Sequence, residues 1–159
     1  MKKKILFANG PNLGLLGVRQ PEIYGSQTLA EIEDKLHKLL VPVKINLESI
    51  QSNHEGELLD FFNEQFLKMQ DKKIRVSGII VNPGAFTHTR IALRDALEMY
   101  RAVQVPLYEV HISNVFAREQ FRHYSYLSSI ASGVVCGLGT FGYLAACQKI
   151  LELDSSLQS

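Results

Sequence analysis

Short apolar runs and amphipathic stretches alternate along the whole chain. Ile5-Leu6-Phe7-Ala8 reads as a buried strand that stops at Asn9-Gly10-Pro11-Asn12. Thr28 with Glu31 three residues on has capping-box spacing, and Leu29, Ile32, Leu36, Leu39 and Leu40 recur at helical period until Pro42. Residues 43–47 alternate as a second strand. Ser52-Asn53-His54-Glu55 repeats the capping-box pattern ahead of Leu58, Leu59, Phe61, Phe62 and Phe66, a second helix. Residues 76–81 form a buried strand ended by Asn82-Pro83-Gly84. Thr87 opens a third helix carrying Ile91, Leu93, Ala96, Leu97 and Tyr100. A fourth strand is expected over 105–112, a short helix over 117–121, a fifth strand over 134–136 and a closing helix over 143–153.

Strands separated by helices of this length imply a parallel sheet with right-handed crossovers. Five such units predict an α/β fold, a flavodoxin-like doubly wound sandwich around a five-stranded parallel sheet. With 159 residues, 46% of them hydrophobic and 21% charged, the chain suits one domain over 1–159. The connection after the first strand is long, rich in Gly and Pro, and without a period of its own. Its residues 13–25 are expected to act as a mobile lid over a binding site.

Charge and cysteine usage narrow the classes. Formal net charge is +1, and Lys2-Lys3-Lys4 reads as a solubilising edge of the first strand, so neither DNA nor RNA is expected as a partner. Cys136 and Cys147 sit in apolar surroundings without metal-ligand spacing, as expected of core thiols in a reducing compartment. There is no apolar signal-peptide core and no run of membrane-spanning length, so a cytoplasmic, membrane-free protein is expected.

In a parallel sheet the carboxyl ends of the strands collect on one edge, where ligands bind. That edge would hold residues 9–12, 51–53, 82–88, 109–113 and 137–142, an Asn-rich rim with two histidines suited to a small hydroxylated anion. Glu109 and His111, two apart on a strand, share a face; a carboxylate there fixes the imidazole tautomer and favours its charged form, as a general acid requires. The spacing is equally compatible with a merely solvated strand-end histidine. Tyr24 becomes a base only if a cation, Arg19 or a second arginine, stabilises its anion, because a free phenol ionises near pH ~10. By itself a loop tyrosine is more simply a packing residue. Arg118 and Arg122, one helical turn apart, either bind an anion together or form a solvated face.

Gly137-Leu138-Gly139-Thr140-Phe141-Gly142 satisfies G-x-G-x-x-G, yet the chain ends before the further strand and acidic residue that a dinucleotide site needs. Close packing of strand on helix accounts for these glycines, and no cofactor is expected. His37 and His123 read as solvent-facing or structural, and His54 as a helix-start residue. No histidine pair has the spacing of a metal site, so none is expected.

Together the motifs resemble those of the type II 3-dehydroquinate dehydratases. Asn9-Gly10-Pro11-Asn12 followed by Arg19-x-Pro21-Glu22-x-Tyr24-Gly25 is similar to the family's start. Residues 51–57, 82–89 with 92–96, and 109–114 with 117–122 resemble its later signatures, in register from first strand to last helix. The resemblance implies loss of water from 3-dehydroquinate to give 3-dehydroshikimate in the shikimate pathway, an anti elimination through an enolate without metal, cofactor or covalent imine. It implies that Tyr24 takes the C2 proton, Arg19 holds Tyr24 as tyrosinate, His111 protonates the departing hydroxyl with Glu109 behind it, and Asn12 places a water on the enolate oxygen. Asn82, His88 and Arg122 would bind ring hydroxyls, and the backbone N–H groups of Ile112 and Ser113 the carboxylate. The family's trimers assemble into dodecamers, in which Asp95 would reach a neighbouring subunit's site. Gly14, Phe116 and Arg90 depart from the family pattern, with expected effects on lid hinge, packing behind Arg118 and subunit contact.

Two other readings share the scaffold. A signalling module would need acidic residues where Asn9, Asn12 and Asn82 stand, and an FMN carrier a hydroxyl-rich loop after the first strand. Another lyase acting on a related cyclic hydroxy acid differs only in substrate.

Overall fold

The computed structural model describes residues 1–156. Its five strands, β1 (Lys2–Asn9), β2 (Ile45–Gln51), β3 (Ile74–Asn82), β4 (Leu107–His111) and β5 (Gly133–Cys136), form one sheet in the order β2-β1-β3-β4-β5, every neighbouring pair parallel. This is the flavodoxin-like doubly wound arrangement, whose strand order reverses between β1 and β3. The helices are a short α1 (Pro21–Tyr24), then α2 (Leu29–Leu40), α3 (Glu55–Gln70), α4 (Ile91–Ala102) and α5 (Phe141–Ser156). None among the described residues is long and apolar enough to cross a membrane.

A strand buried on both faces sends alternate side chains into different cores. In β1, Ile5 and Phe7 join Leu36 of α2 and Tyr143 of α5, while Leu6 and Ala8 join Phe62 of α3 and Leu97 of α4. A register shift between Lys4 and Ile5 interrupts the alternation in β3, so Ser77 and Gly78 both turn towards α5. A Cβ on Gly78 would lie 2.7 Å from Ile150, and the Ser77 hydroxyl donates to Asp154 at 3.0 Å.

The Asp154 carboxylate also takes Lys3 at 2.8 Å and Arg75 at 3.2 Å, pinning α5 to β1 and β3. Burial raises its pKa, but the Lys3, Ser77 and Arg75 contacts outweigh that and hold it below the usual carboxylate range. A depressed pKa contributes stability that is present above the unfolded-state value and lost as pH falls through the folded-state value. Asp154→Asn is therefore expected to cost about 2 kcal/mol in denaturant unfolding at pH 7. The gap from the parent protein should close as pH falls below about 4; a gap that stays constant with pH would refute the ionic account.

Several boundaries depart from expectation for physical reasons. The Thr28–Glu31 capping box forms, with Glu31 N–H donating to Thr28 Oγ1 at 3.2 Å and Thr28 N–H to Glu31 Oε2 at 2.8 Å. The second box does not. The helix starts at Glu55 with His54 as N-cap and no side-chain cap, while Ser52 Oγ accepts the His54 N–H and bonds Glu57. β2 starts two residues late because Pro42 closes a 3₁₀ turn and Lys44 adopts φ 56°. Thr87 opens no helix: it lies in a 3₁₀ turn over Gly84–His88, side chain inward, and α4 begins at Ile91. The helix expected over 117–121 is absent. Two 3₁₀ turns, Val115–Ala117 and Gln120–Arg122, flank an extended Arg118, since Phe116 and Phe121 are both exposed and give a helix no face to bury.

Candidate active site

The reversal in strand order leaves a crevice beyond the carboxyl ends of β1 and β3, closed on one side by β4. Gly10 N–H donates to the Asn82 carbonyl at 2.8 Å, tying the two strand ends together. The approach is so close that a Cβ on Gly10 would meet the Pro83 carbonyl oxygen at 2.3 Å. Only glycine fits there. Into the crevice opens a cavity of about 240 Å³, lined from both chain directions by Asn12, Arg19, Tyr24, Asn82, His88, His111 and Arg118, among others.

On the lid side, Tyr24 ends α1, whose start is set by Pro21 at its first position. Its phenol oxygen accepts a hydrogen bond from Arg118 Nη1 at 2.9 Å, and the guanidinium carbon stands 5.6 Å from the ring centroid. Arg118 Nη1 also reaches Ser113 Oγ at 3.3 Å. Arg19 lines the cavity, but the cation at the phenol is Arg118. The extended backbone at Arg118, with φ −110° and ψ −164°, aims the side chain across the crevice. The His123 imidazole donates from Nε2 to the Arg118 carbonyl at 3.1 Å, and Phe116 lies against its ring.

On the opposite wall, β4 ends in His111, whose Nε2 lies 2.7 Å from Glu109 Oε1. Glu109 is wholly buried and also accepts from Thr87, Ser125 and Ser128. Burial pushes its carboxyl up, yet the His111 contact and the hydroxyls prevail and hold it below the ordinary range. An ionised carboxylate only accepts, so His111 carries hydrogen on Nε2, leaving Nδ1 for a ligand. His88 lies beside it, ring centroids 6.5 Å apart, and must donate from Nδ1 to the Tyr124 carbonyl at 2.6 Å.

Behind Asn82, which lines the cavity, runs a buried amide relay. Gly84 N–H donates to Asn82 Oδ1 at 3.1 Å, which fixes the amide's orientation, and Asn82 Nδ2 donates to the Tyr143 hydroxyl at 2.7 Å. That hydroxyl donates in turn to Asn9 Oδ1 at 2.9 Å. Asn12 adopts φ 68° and gives its N–H to Asn53 Oδ1 at 2.9 Å, turning the chain over the cavity mouth. Ile112 and Ser113 line the cavity, as does Arg122, which also pairs with Glu119 at 2.8 Å. Three guanidinium groups with one buried carboxylate behind the wall make this a cationic site for a small anion.

Of the residues singled out from sequence, Asn12, Arg19, Tyr24, Asn82, His88, His111, Ile112, Ser113 and Arg122 line this cavity, and Glu109 stands directly behind it. Asp95 does not join them; it faces outward on α4 against Arg94. Arg118 at the phenol, the hydroxyls on Glu109 and the Tyr143 relay were missed. The sequence leaves Arg118 open as an anion-binding or a solvated residue, and the serines of 123–129 sit in a stretch with no period to place them.

The departures resolve locally. A Cβ at Gly14 would come within 2.8 Å of Gln51 Oε1, so glycine leaves room for Gln51 Nε2 to reach the Gly10 carbonyl at 3.2 Å. Arg90 lies over the Phe86 ring at 5.0 Å and near Glu55 at 3.8 Å, contacts within its own chain. At the G-x-G-x-x-G run, a Cβ on Gly142 would press on Val110 and Val135 at 3.1 and 3.2 Å, which is strand-on-helix packing.

Residues 3–151 match the family model described as dehydroquinase class II. A protein of Endomicrobium trichonymphae named 3-dehydroquinate dehydratase is 50% identical over 151 residues, 95% of this chain and 99% of its own length. One of Neosartorya fischeri named catabolic 3-dehydroquinase 2 is 50% identical, covering 91% of this chain and 89% of its own. The crystal structure of the type II dehydroquinase from Butyrivibrio crossotus superimposes with a TM-score of 0.84 at 38% identity, covering 94% of this chain and 97% of that one. With the cavity, the fold and near full-length similarity in agreement, the chain belongs to the class II dehydroquinase family.

Proposed function

We propose that the protein is a 3-dehydroquinate dehydratase, a hydro-lyase that removes water from 3-dehydroquinate to give 3-dehydroshikimate. The observation that carries this reading is one cationic cavity holding a phenol on a guanidinium and, on another wall, an imidazole on a buried carboxylate. These are a base and an acid for a stepwise elimination.

Tyr24, as the anion that Arg118 stabilises, takes the C2 proton. The C–H electron pair moves into the adjacent ketone, and the enolate oxygen is met by a water that Asn12 positions. The enolate then collapses, the C1–O bond breaks, and the proton on His111 Nδ1 leaves with the hydroxyl as water. Glu109 holds the imidazole. Asn82, His88 and Arg122 bind ring hydroxyls, the backbone N–H groups of Ile112 and Ser113 take the carboxylate, and Arg19 adds positive charge from the lid. No step needs a metal, cofactor or imine.

The lid reading covers residues 13–25. Gly17 and Gly25, at φ 85° and 80°, bracket the segment that carries Arg19 and Tyr24, and positive-φ glycines suit hinges. The chain would act as a single catalytic domain. We further propose a homo-oligomer, a dodecamer of trimers, in which the outward-facing Asp95 serves a neighbour's cavity. The free thiols Cys136 and Cys147 agree with a cytoplasmic setting.

Purified protein added to 3-dehydroquinate should raise the ultraviolet band of the conjugated enone, both with chelator present and after borohydride pretreatment. Folded protein that gives no band would sink the activity and favour a binding module on the same scaffold. A band abolished by chelator or borohydride would sink the metal-free, imine-free route.

A further inference from the structure

Hydrogen counting around Glu109 narrows where the neighbouring hydroxyls can donate. Ser125 Oγ accepts the N–H groups of Leu127 and Ser128, each at 3.0 Å, so both its lone pairs are occupied. Its own hydrogen must point outward, and the Glu109 oxygens lie 2.9 and 3.1 Å away. Thr87 Oγ1 stands 2.6 Å from Ser125 Oγ, which has no lone pair left for it, and 2.5 Å from Glu109 Oε1, so Thr87 donates to Glu109. Ser128 Oγ donates to Oε2 at 2.6 Å. With His111 Nε2 on Oε1, this wholly buried carboxylate is surrounded by groups placed to donate to it.

We propose that Thr87, Ser125 and Ser128 are positioning residues for the acid step: their hydroxyls keep Glu109 an anion, and thereby keep the Nε2 hydrogen on His111 so that Nδ1 can surrender a proton to the departing hydroxyl. The inference rests on the dehydration proposed above. Without the hydroxyls, the Nε2 proton passes to Glu109. The pair is then a carboxylic acid beside a neutral imidazole, and Nδ1–H of a neutral ring is a poor acid. The consequence is confined to one half of the elimination. Removal of the C2 proton by Tyr24 and breakage of the C–H bond are untouched, whereas C1–O cleavage lacks the proton that turns hydroxide into water.

Ser128→Ala and the near-isosteric Thr87→Val test this beside Ser128→Thr and Thr87→Ser, which restore a hydroxyl. Each is assayed on 3-dehydroquinate and on its analogue with fluoride in place of the C1 hydroxyl, a group that departs with far less need of a proton. Loss of a charge-assisted hydrogen bond is expected to lower kcat on 3-dehydroquinate about tenfold in each deletion variant, with KM little changed. The hydroxyl-bearing variants should recover most of the rate, and turnover of the fluoride analogue should stay near that of the parent protein. Equal losses on both substrates would show a merely structural role and overturn the inference, as would unchanged kcat on 3-dehydroquinate. His111→Ala separates the two levels. If it too turns over 3-dehydroquinate at full rate, the acid assignment itself fails; if it is slow while Ser128→Ala and Thr87→Val are not, only the hydroxyl cage fails. Should Ser128→Ala not fold, Thr87→Val carries the test alone.

Discussion

Tyr24→Phe is expected to lower kcat by about 10²–10⁴ while KM stays close to its starting value. The substitution deletes one oxygen and little else. The ring keeps its place beside the Arg118 guanidinium, and the cavity keeps its shape and its three arginines. Ground-state binding therefore changes little. What disappears is the phenol oxygen that Arg118 faces, which in the proposed elimination takes the C2 proton. Initial rates of enone formation across a range of 3-dehydroquinate concentrations give both constants. A near-normal kcat would remove Tyr24 from the chemistry. A loss carried wholly by KM would make it a binding residue.

Arg118→Gln is the second large effect, with an expected fall in kcat of about 10²-fold, the scale of losing one preorganised charge-stabilising donor. Glutamine can still offer a hydrogen bond near Tyr24 and Ser113 but carries no charge. The Tyr24 phenol oxygen loses the cation that faces it at 2.9 Å, and with it the proposed phenolate loses its counter-charge. Any phenol ionises more fully as pH rises, so the deficit should shrink towards about pH 9. Arg19→Gln is the natural comparison. Its loss should fall on substrate binding without that recovery at high pH. If the recovery belongs to Arg19→Gln instead, the phenol's partner during turnover is Arg19.

How far the chain could be read in advance differs between fold and site. The sheet was legible because strands buried on both faces announce themselves as apolar runs, as Ile79, Ile80 and Val81 do, and because α2 carries its start signal in Thr28 and Glu31. Where short polar segments decide the structure, the pattern is silent. The turn at 115–122 has no apolar stripe, so a helix of five residues and two 3₁₀ turns look alike in sequence. Only the turns leave Arg118 extended enough to reach Tyr24. The Glu109–His111 pair could be anticipated because two residues apart on a strand means one face. The hydroxyls around Glu109 could not. Thr87 comes from the turn after β3 and Ser125 and Ser128 from a distant polar stretch, and nothing local in a Thr or Ser says that it points inwards. The motif resemblance supplied candidate residues that spacing alone left open, but it named Arg19 for the phenol, where contact belongs to Arg118.

The Tyr143 relay couples the cavity to the order in which the chain is made. Asn9 ends β1 and Asn82 ends β3, yet the hydroxyl that holds both amides follows them in the chain, on α5. A chain made as far as β5 holds Tyr24, His111 and Arg118, but not the Tyr143 hydroxyl that joins the two amides. The Asn82 wall of the cavity is therefore fixed only once α5 has docked. A chain cut before Tyr143 would leave the Asn82 and Asn9 amides without the hydroxyl that joins them.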